Sequence, residues 1–283
     1  MTTPAHPALA AGRGAVITGG AGGIGLATAL RCAKAGMRVC LADSGDELEA
    51  AVQAVFEAGA PEAFGIEVDV GNAAEVDALR DAAFARLDDI GLLMNNAGHG
   101  GGGNAFSNPD GWERLLRTNL HGVLNGVQAF TQPLIDQARP AAIVNTGSKQ
   151  GITCPPGDTA YNVSKAAVKA LTEGLAHSLR QLPDCPVTAH LLIPGFTYSG
   201  MMKGYFSELP AAAWTCDQVA EALFEGLGRG DFYIWCEDNE TPRALDERRI
   251  LWAAEDIVRN RPALSRWHPD FKEEFEAFCR RAS

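Results

Sequence analysis

Five short apolar runs, each closing on glycine or a small polar residue, leave this chain few architectures. They are Ala15–Ile17, Met37–Ala42, Ala63–Val68, Ile90–Met94 and Ala141–Val144, and stretches of helical periodicity such as Leu26–Ala35, Ala73–Leu87 and Trp112–Ile135 lie between them. Short apolar strands alternating with helices, with no internal repeat or low-complexity linker, predict a doubly wound α/β fold around a parallel sheet. The 283 residues fit one large α/β domain. Hydrophobic content of 46% with 31 glycines, and no apolar run long enough to cross a bilayer, predicts a soluble protein. Its seven cysteines are scattered and never form CxxC, which predicts neither a disulfide framework nor a metal site and points to a reducing cytoplasm. A net charge of −11 disfavours nucleic acid and anionic membrane as partners. Met1–Arg13 has no signal-peptide pattern, so residues 1–11 are expected to be a disordered leader.

The first strand runs directly into Thr18-Gly19-Gly20-Ala21-Gly22-Gly23-Ile24-Gly25 and then a helix. Strand, glycine turn and helix let a backbone approach a pyrophosphate and offer it free N–H groups at a positive dipole end. Two registers fit: Gly20, Gly22 and Gly25 as GxGxxG, or Gly19, Gly23 and Gly25 as GxxxGxG. The second strand ends at Asp43, placed to accept hydrogen bonds from a ribose and to repel a 2′-phosphate. No Arg or Lys stands at Ser44, Gly45 or Asp46, so NAD is preferred over NADP; the other reading of Asp43 is a helix N-cap. Asp69 and Val70 close the third strand, where Asp69 suits a ligand edge or a helix cap alike. His99 sits in a glycine-rich loop of the kind that usually carries a surface histidine. Asn119 interrupts a long helix against propensity, which implies a kink, a held water or simple exposure.

Tyr161 and Lys165 lie four residues apart, on one face of a helix. A cation ~4 Å from a phenol at an effective dielectric of about 20 is worth ~4 kcal/mol, enough to draw a tyrosine pKa toward neutrality. Tyr161 could then exchange a proton with a substrate oxygen.

Ser148 thirteen residues before Tyr161, Lys165 four after, Asn119 upstream, TGGAGGIG, Asp43, Asp69 and the Asn95-Asn96-Ala97-Gly98 turn together resemble the short-chain dehydrogenase/reductase family over residues 12–236. The resemblance implies a seven-stranded Rossmann-type sheet with helices on both faces, and it favours the Thr18, Gly19, Gly23, Gly25 register. It implies that Tyr161 is the general acid/base, that Lys165 holds the nicotinamide ribose and lowers the tyrosine pKa, that Ser148 hydrogen-bonds the substrate oxygen and that Asn119 anchors a relay water. It further implies cofactor contacts from Ile24, Asp43, Asp69, Val70, Asn96 and Gly98. The Pro194-Gly195 turn resembles the family's PGxxxT segment, although Thr197 and Ser199 depart from the usual residue types there. No metal is implied. A homo-oligomer, dimer or tetramer, is.

Residues 200–214 occupy the place of a substrate lid in that family. Phe196, Tyr198, Met201, Met202, Tyr205, Phe206 and Trp214 make this region apolar, with Tyr198, Met202 and Phe206 as candidate pocket walls. Residues 237–283 lie beyond the common core and are expected to add two amphipathic helices, with apolar faces Ile250, Ala254, Ile257 and Phe271, Phe275, Phe278 packed on the same subunit. The expected protein is an NAD-dependent oxidoreductase moving a hydride between nicotinamide and a secondary alcohol or ketone on an apolar or aromatic framework. The alternatives are an NADPH-linked carbonyl reductase and a non-catalytic NAD-binding sensor of the same fold.

Overall fold

The computed structural model describes residues 6–203 and 206–280. In chain order these form β1 (Gly14–Thr18), α1 (Gly23–Lys34), β2 (Arg38–Asp43), α2 (Leu48–Glu57), β3 (Ala63–Glu67), α3 (Ala73–Leu87), β4 (Ile90–Asn95), α4 (Pro109–Leu116), α5 (Gly122–Asp136), β5 (Ala141–Thr146), α6 (Gln150–Thr153) and α7 (Thr159–Arg180). There follow β6 (Val187–Ile193), β7 (Thr197–Tyr198), α8 (Gly200–Lys203), β8 (Trp214–Thr215), α9 (Cys216–Arg229), β9 (Tyr233–Trp235), α10 (Arg243–Val258) and α11 (Lys272–Arg280).

The main sheet has seven strands in the order β3-β2-β1-β4-β5-β6-β9, every pair parallel. Alternate side chains divide the strands between two cores, as a sheet covered on both faces requires. Val16, Cys40 and Leu93 face one core with Leu79 of α3, Phe130 of α5 and Val168 of α7. Ile17, Leu41 and Met94 face the other with Cys32 of α1, Val55 of α2 and Leu223 of α9. Strand order reverses between β1 and β4, so the carboxyl ends of these strands border the crevice where open α/β sheets take their ligands. Thr18, Asp43, Asn95 and Thr146 are the last residues of β1, β2, β4 and β5. This is the predicted doubly wound sheet.

Two expectations are corrected. Pro7–Leu9 form a 3-10 turn with Ala8 and Leu9 buried against β4 and β5, so the leader is ordered from His6 on; its apolar residues cover the end of the sheet opposite the crevice. Residues 1–5 lie outside the described residues. In α10 the side chains buried are Asp246 and Trp252, whereas Ile257 is 85% exposed and Ala254 is also exposed. The period was right but the wrong face was chosen, because one Trp packed edge-on against Phe275 and Phe278 outweighs the smaller aliphatics.

Candidate functional site

The glycine loop between β1 and α1 takes the GxxxGxG register. Gly19 and Gly23 have positive φ (64° and 55°), and a Cβ on Gly25 would lie 2.1 Å from the Gly19 carbonyl oxygen. Gly22 is extended and has open space around it. No side chain caps α1, so its first-turn N–H groups are left for an anionic ligand. Asn96 braces the loop: its Nδ2 donates to the carbonyls of Thr18 and Gly19 at 3.2 and 3.3 Å, and its Oδ1 accepts from the Thr146 hydroxyl at 3.2 Å. Thr18 Oγ1 in turn accepts from the Asn96 and Ala97 amides. The residue read as a ribose neighbour is thus also the tie between three strand ends.

Asp43 does not cap α2, whose N-cap is Glu47. Its Oδ2 accepts from Ala21 N of the glycine loop at 2.9 Å and its Oδ1 from Gly45 N at 3.1 Å. Asp69 does not cap α3 either, because Asn72 does; Asp69 accepts from Gly71 N and pairs with Arg117, beside a buried Val70. Both carboxylates remain at the sheet edge bordering the crevice.

The proton-transfer candidates converge at the carboxyl end of β5. Asn119 lies in a π-helical turn, Arg117–His121, that joins α4 to α5. Such a turn is a local widening common at functional sites. Its side chain is fully buried and clamps the loop before α4, with Oδ1 accepting from His99 N at 2.9 Å and Nδ2 donating to His99 O at 2.8 Å. His99 itself bonds through Nδ1 to the neighbouring Gly100 carbonyl. Lys165 Nζ, also buried, donates to Thr146 O at 2.8 Å and lies 5.7 Å from the centre of the Tyr161 ring. A Cβ on Gly98 would sit 3.1 Å from Asn119 Oδ1 and 3.7 Å from Lys165 Nζ, so the three meet. Gly151 of α6 lies so close to α7 that a Cβ there would be 2.5 Å from the Lys165 carbonyl carbon, which fixes Ser148 against the Tyr161 helix. The Ser148 hydroxyl stands near enough to the Tyr161 phenol to lower its pKa.

The electrostatics correct one expectation. Burial pushes the Tyr161 phenol above its ordinary value near 10; the Ser148 hydroxyl opposes this and the Asp158 carboxylate adds to it. Burial also brings Lys165 down to about 8. Desolvation is the largest cause of the phenol's rise, and Lys165, whose hydrogen bond goes to the Thr146 carbonyl, is not among the groups that lower the phenol.

On the substrate side, Ser199 approaches the glycine loop: a Cβ on Gly23 would be 3.6 Å from the Ser199 Cβ. Thr197 is buried and its hydroxyl donates to Gly195 O. Pro194 O accepts from Lys149 N at 3.1 Å. The half-buried Tyr198 donates its hydroxyl to Phe206 O at 3.2 Å, and Phe206 packs on Phe196 at 5.8 Å but stays 40% exposed. Met202 is half-buried, and Tyr205 lies outside the described residues. The side chain that reaches across to the opposite loop is Met201, whose Sδ is 3.5 Å from the position of a Cβ on Gly100. Asp158 also escaped the sequence reading. It caps α7 by accepting from Tyr161 N and takes the amides of Gly101, Gly102 and Gly103 as well. An acidic residue three before Tyr161 was the available signal.

A parallel sheet with this glycine loop and a Ser148–Tyr161–Lys165 cluster at its carboxyl edge defines a nucleotide-binding oxidoreductase fold. The short chain dehydrogenase family matches residues 13–210, and the chain belongs to that family. Among relatives, 1-deoxy-11-beta-hydroxypentalenate dehydrogenase of Streptomyces avermitilis is 34% identical over 246 residues, 84% of this chain and 89% of that protein. The solved short chain dehydrogenase/reductase from Burkholderia phymatum in complex with NAD is 33% identical, with a TM-score of 0.80 over 89% of this chain and 96% of that one. A metagenomic short-chain oxidoreductase in complex with NADP is 27% identical, with a TM-score of 0.64 over 78% of this chain and 92% of that one. Among the described residues no helix is long and apolar enough to cross a membrane, and no cluster of His, Cys, Asp and Glu suits a metal ion.

Proposed function

We propose that this protein is an NAD-dependent dehydrogenase of secondary alcohols, or reductase of the matching ketones, on an apolar or aryl framework. The observation that carries the reading is a buried Lys165 bonded to the Thr146 carbonyl, on the helix that carries Tyr161 and beside the turn that carries Ser148, at the same end of the sheet as an uncapped glycine loop. These residues suit a nicotinamide dinucleotide: the first turn of α1 and Gly23 for the pyrophosphate, Asp43 for the adenosine ribose, Asp69 and Val70 for the adenine, Asn96 and Lys165 for the other ribose, and Pro194, Gly195, Thr197 and Ser199 for the carboxamide. The nicotinamide, when bound, accepts or gives the hydride.

The protein's own part is the proton. In ketone reduction the protonated Tyr161 Oη gives its proton to the carbonyl oxygen while Ser148 Oγ hydrogen-bonds the same oxygen; in alcohol oxidation the ionised phenol takes the hydroxyl proton. Asn119, fixed on the His99 backbone, supports the relay behind Lys165. The carboxylate of Asp43 favours NAD over NADP, in keeping with the Burkholderia phymatum structure. Tyr198, Met202 and Phe206, with Met201 added, supply an apolar wall, and a hydroxypentalenate dehydrogenase among the relatives supports a hydroxylated, largely hydrocarbon substrate. The setting is proposed to be cytoplasmic and the assembly a homo-oligomer.

A turnover screen of secondary alcohols and ketones with NAD(H) and NADP(H) tests the reading. Higher kcat/KM for an aryl carbinol than for a polyol of similar size, reduced by Met202→Ala, is the expected result. A polyol preference would reject the apolar site, and cofactor binding without any turnover would favour a sensor of the same fold.

A further inference from the structure

Lys149 follows Ser148 directly, yet its side chain turns away from the crevice and is only 13% exposed. Its ammonium lies 3.0 Å from Asp238 Oδ2 and 2.5 Å from Asp246 Oδ2, two carboxylates that are themselves 10% and 5% exposed. Asp246 belongs to α10; it also accepts from Trp235 Nε1 of β9 at 3.2 Å and faces Arg249 at 3.4 Å. The Phe196 amide and the Thr241 side chain stand near enough to the Asp238 carboxylate to lower its pKa. Although burial works to raise it, the hydrogen bond from Lys149, with the Thr241 side chain, holds this carboxyl below the ordinary carboxylate value. Gly195 leaves room for this meeting, since a Cβ there would stand 2.8 Å from Lys149 Nζ and 2.9 Å from Asp238 Oδ2. The Lys149 amide completes the ring by donating to Pro194 O.

One ammonium therefore joins four segments: the turn carrying Ser148, the Pro194–Phe196 turn, the end of β9, and α10. Asp238 and Asp246 both lie beyond residues 13–210, where the family match ends. A desolvated cation between two carboxylates has little latitude, because moving the ammonium leaves Asp238 without its cation.

We infer that Lys149, Asp238 and Asp246 form a buried ionic clasp through which the C-terminal extension positions Ser148 and the Gly195–Phe196 turn for catalysis. These are positioning residues and touch no reacting atom. The role in turnover rests on the proposed dehydrogenase reading; the clasp does not.

The experiment uses the full chain. Lys149→Met strands two carboxylates and can cost folding, so Asp246→Asn, which keeps the Lys149–Asp238 pair, is the primary variant. It is expected to lower kcat about tenfold or more, since displacements near 1 Å at a reacting centre cost up to about a hundredfold, with the dissociation constant for NAD within about twofold of wild type. The Lys149→Met, Asp246→Asn double variant is expected to turn over no more slowly than Lys149→Met alone. Amide hydrogen exchange of residues 147–153 and 194–198 is expected to quicken in Asp246→Asn while β1 and β4 stay protected. Unchanged kcat and exchange in Asp246→Asn, or losses that add independently in the double variant, would overturn the clasp. Should the wild type oxidise no alcohol, the dehydrogenase reading fails alone, and the exchange comparison still decides the clasp.

Discussion

The carboxylate of Asp158 caps the Tyr161 amide at 3.2 Å while gathering three consecutive amides of the Gly101–Gly103 loop. One side chain thus sets both the helix that carries the phenol and a wall opposite Met201. Asp158→Ala is expected to cost about 1–2 kcal/mol of stability, the upper part of the range for a lost cap because the loop amides are freed as well. Asp158→Asn keeps most of the cap but removes the charge that adds to the burial-driven rise of the Tyr161 pKa. Phenolate absorbance, read as wild type minus Tyr161→Phe in either background, should show Tyr161 ionising at lower pH in Asp158→Asn.

Asp43 is proposed to couple cofactor choice to loop order, because the carboxylate proposed to meet the ribose also holds Ala21 N. Wild type is expected to prefer NAD by at least ~1.4 kcal/mol, or about tenfold. Asp43→Ala alone should weaken NAD binding, and Asp43→Ala with Ser44→Arg should narrow or reverse the preference. Titration of each protein with both cofactors checks this, and equal use of both by the wild type would contradict it.

Lys165 makes stability depend on pH in a defined window. Its pKa falls from 10.5 to about 8 on folding. Below pH 8 both states are charged and the folded state carries the cost of burying that charge. Between pH 8 and 10.5 the unfolded chain holds a proton the folded one has released, so this group's contribution to stability rises with pH, by about 3 kcal/mol in all at ~1.4 per pH unit. Cys32, Cys40 and Cys236, each raised from 9.0 to about 12, act in the opposite sense above pH 9. The informative quantity is therefore wild type minus Lys165→Met in urea unfolding, where the cysteines cancel. It should grow in favour of the wild type from pH 8 to 10.5, and a flat difference would mean that Lys165 is hydrated.

The sheet was legible because its first five strands are short apolar runs that close on small polar residues, and α3 spans Ala73–Leu87 as expected. The relation of Tyr161 to Lys165 was legible as spacing, but the direction of the phenol's pKa was not, because burial is a property of α6 and α7 together. Asp158 and Lys149 went unread for a related reason: apart from the Tyr161 cap, their side-chain partners lie fifty-five or more residues away, in the glycine-rich loop and in and before α10. The face of α10 was misread because a pattern of aliphatics does not reveal that a single tryptophan will be covered.

The most direct test of the whole account is the steady-state rate of Tyr161→Phe on the best alcohol found by the screen, with NAD affinity measured on the same protein. The phenol's only proposed task is proton exchange, so kcat/KM is expected to fall at least about a hundredfold, ~3 kcal/mol of transition-state stabilisation, while the fold and NAD binding persist. Near-normal turnover by Tyr161→Phe would contradict it.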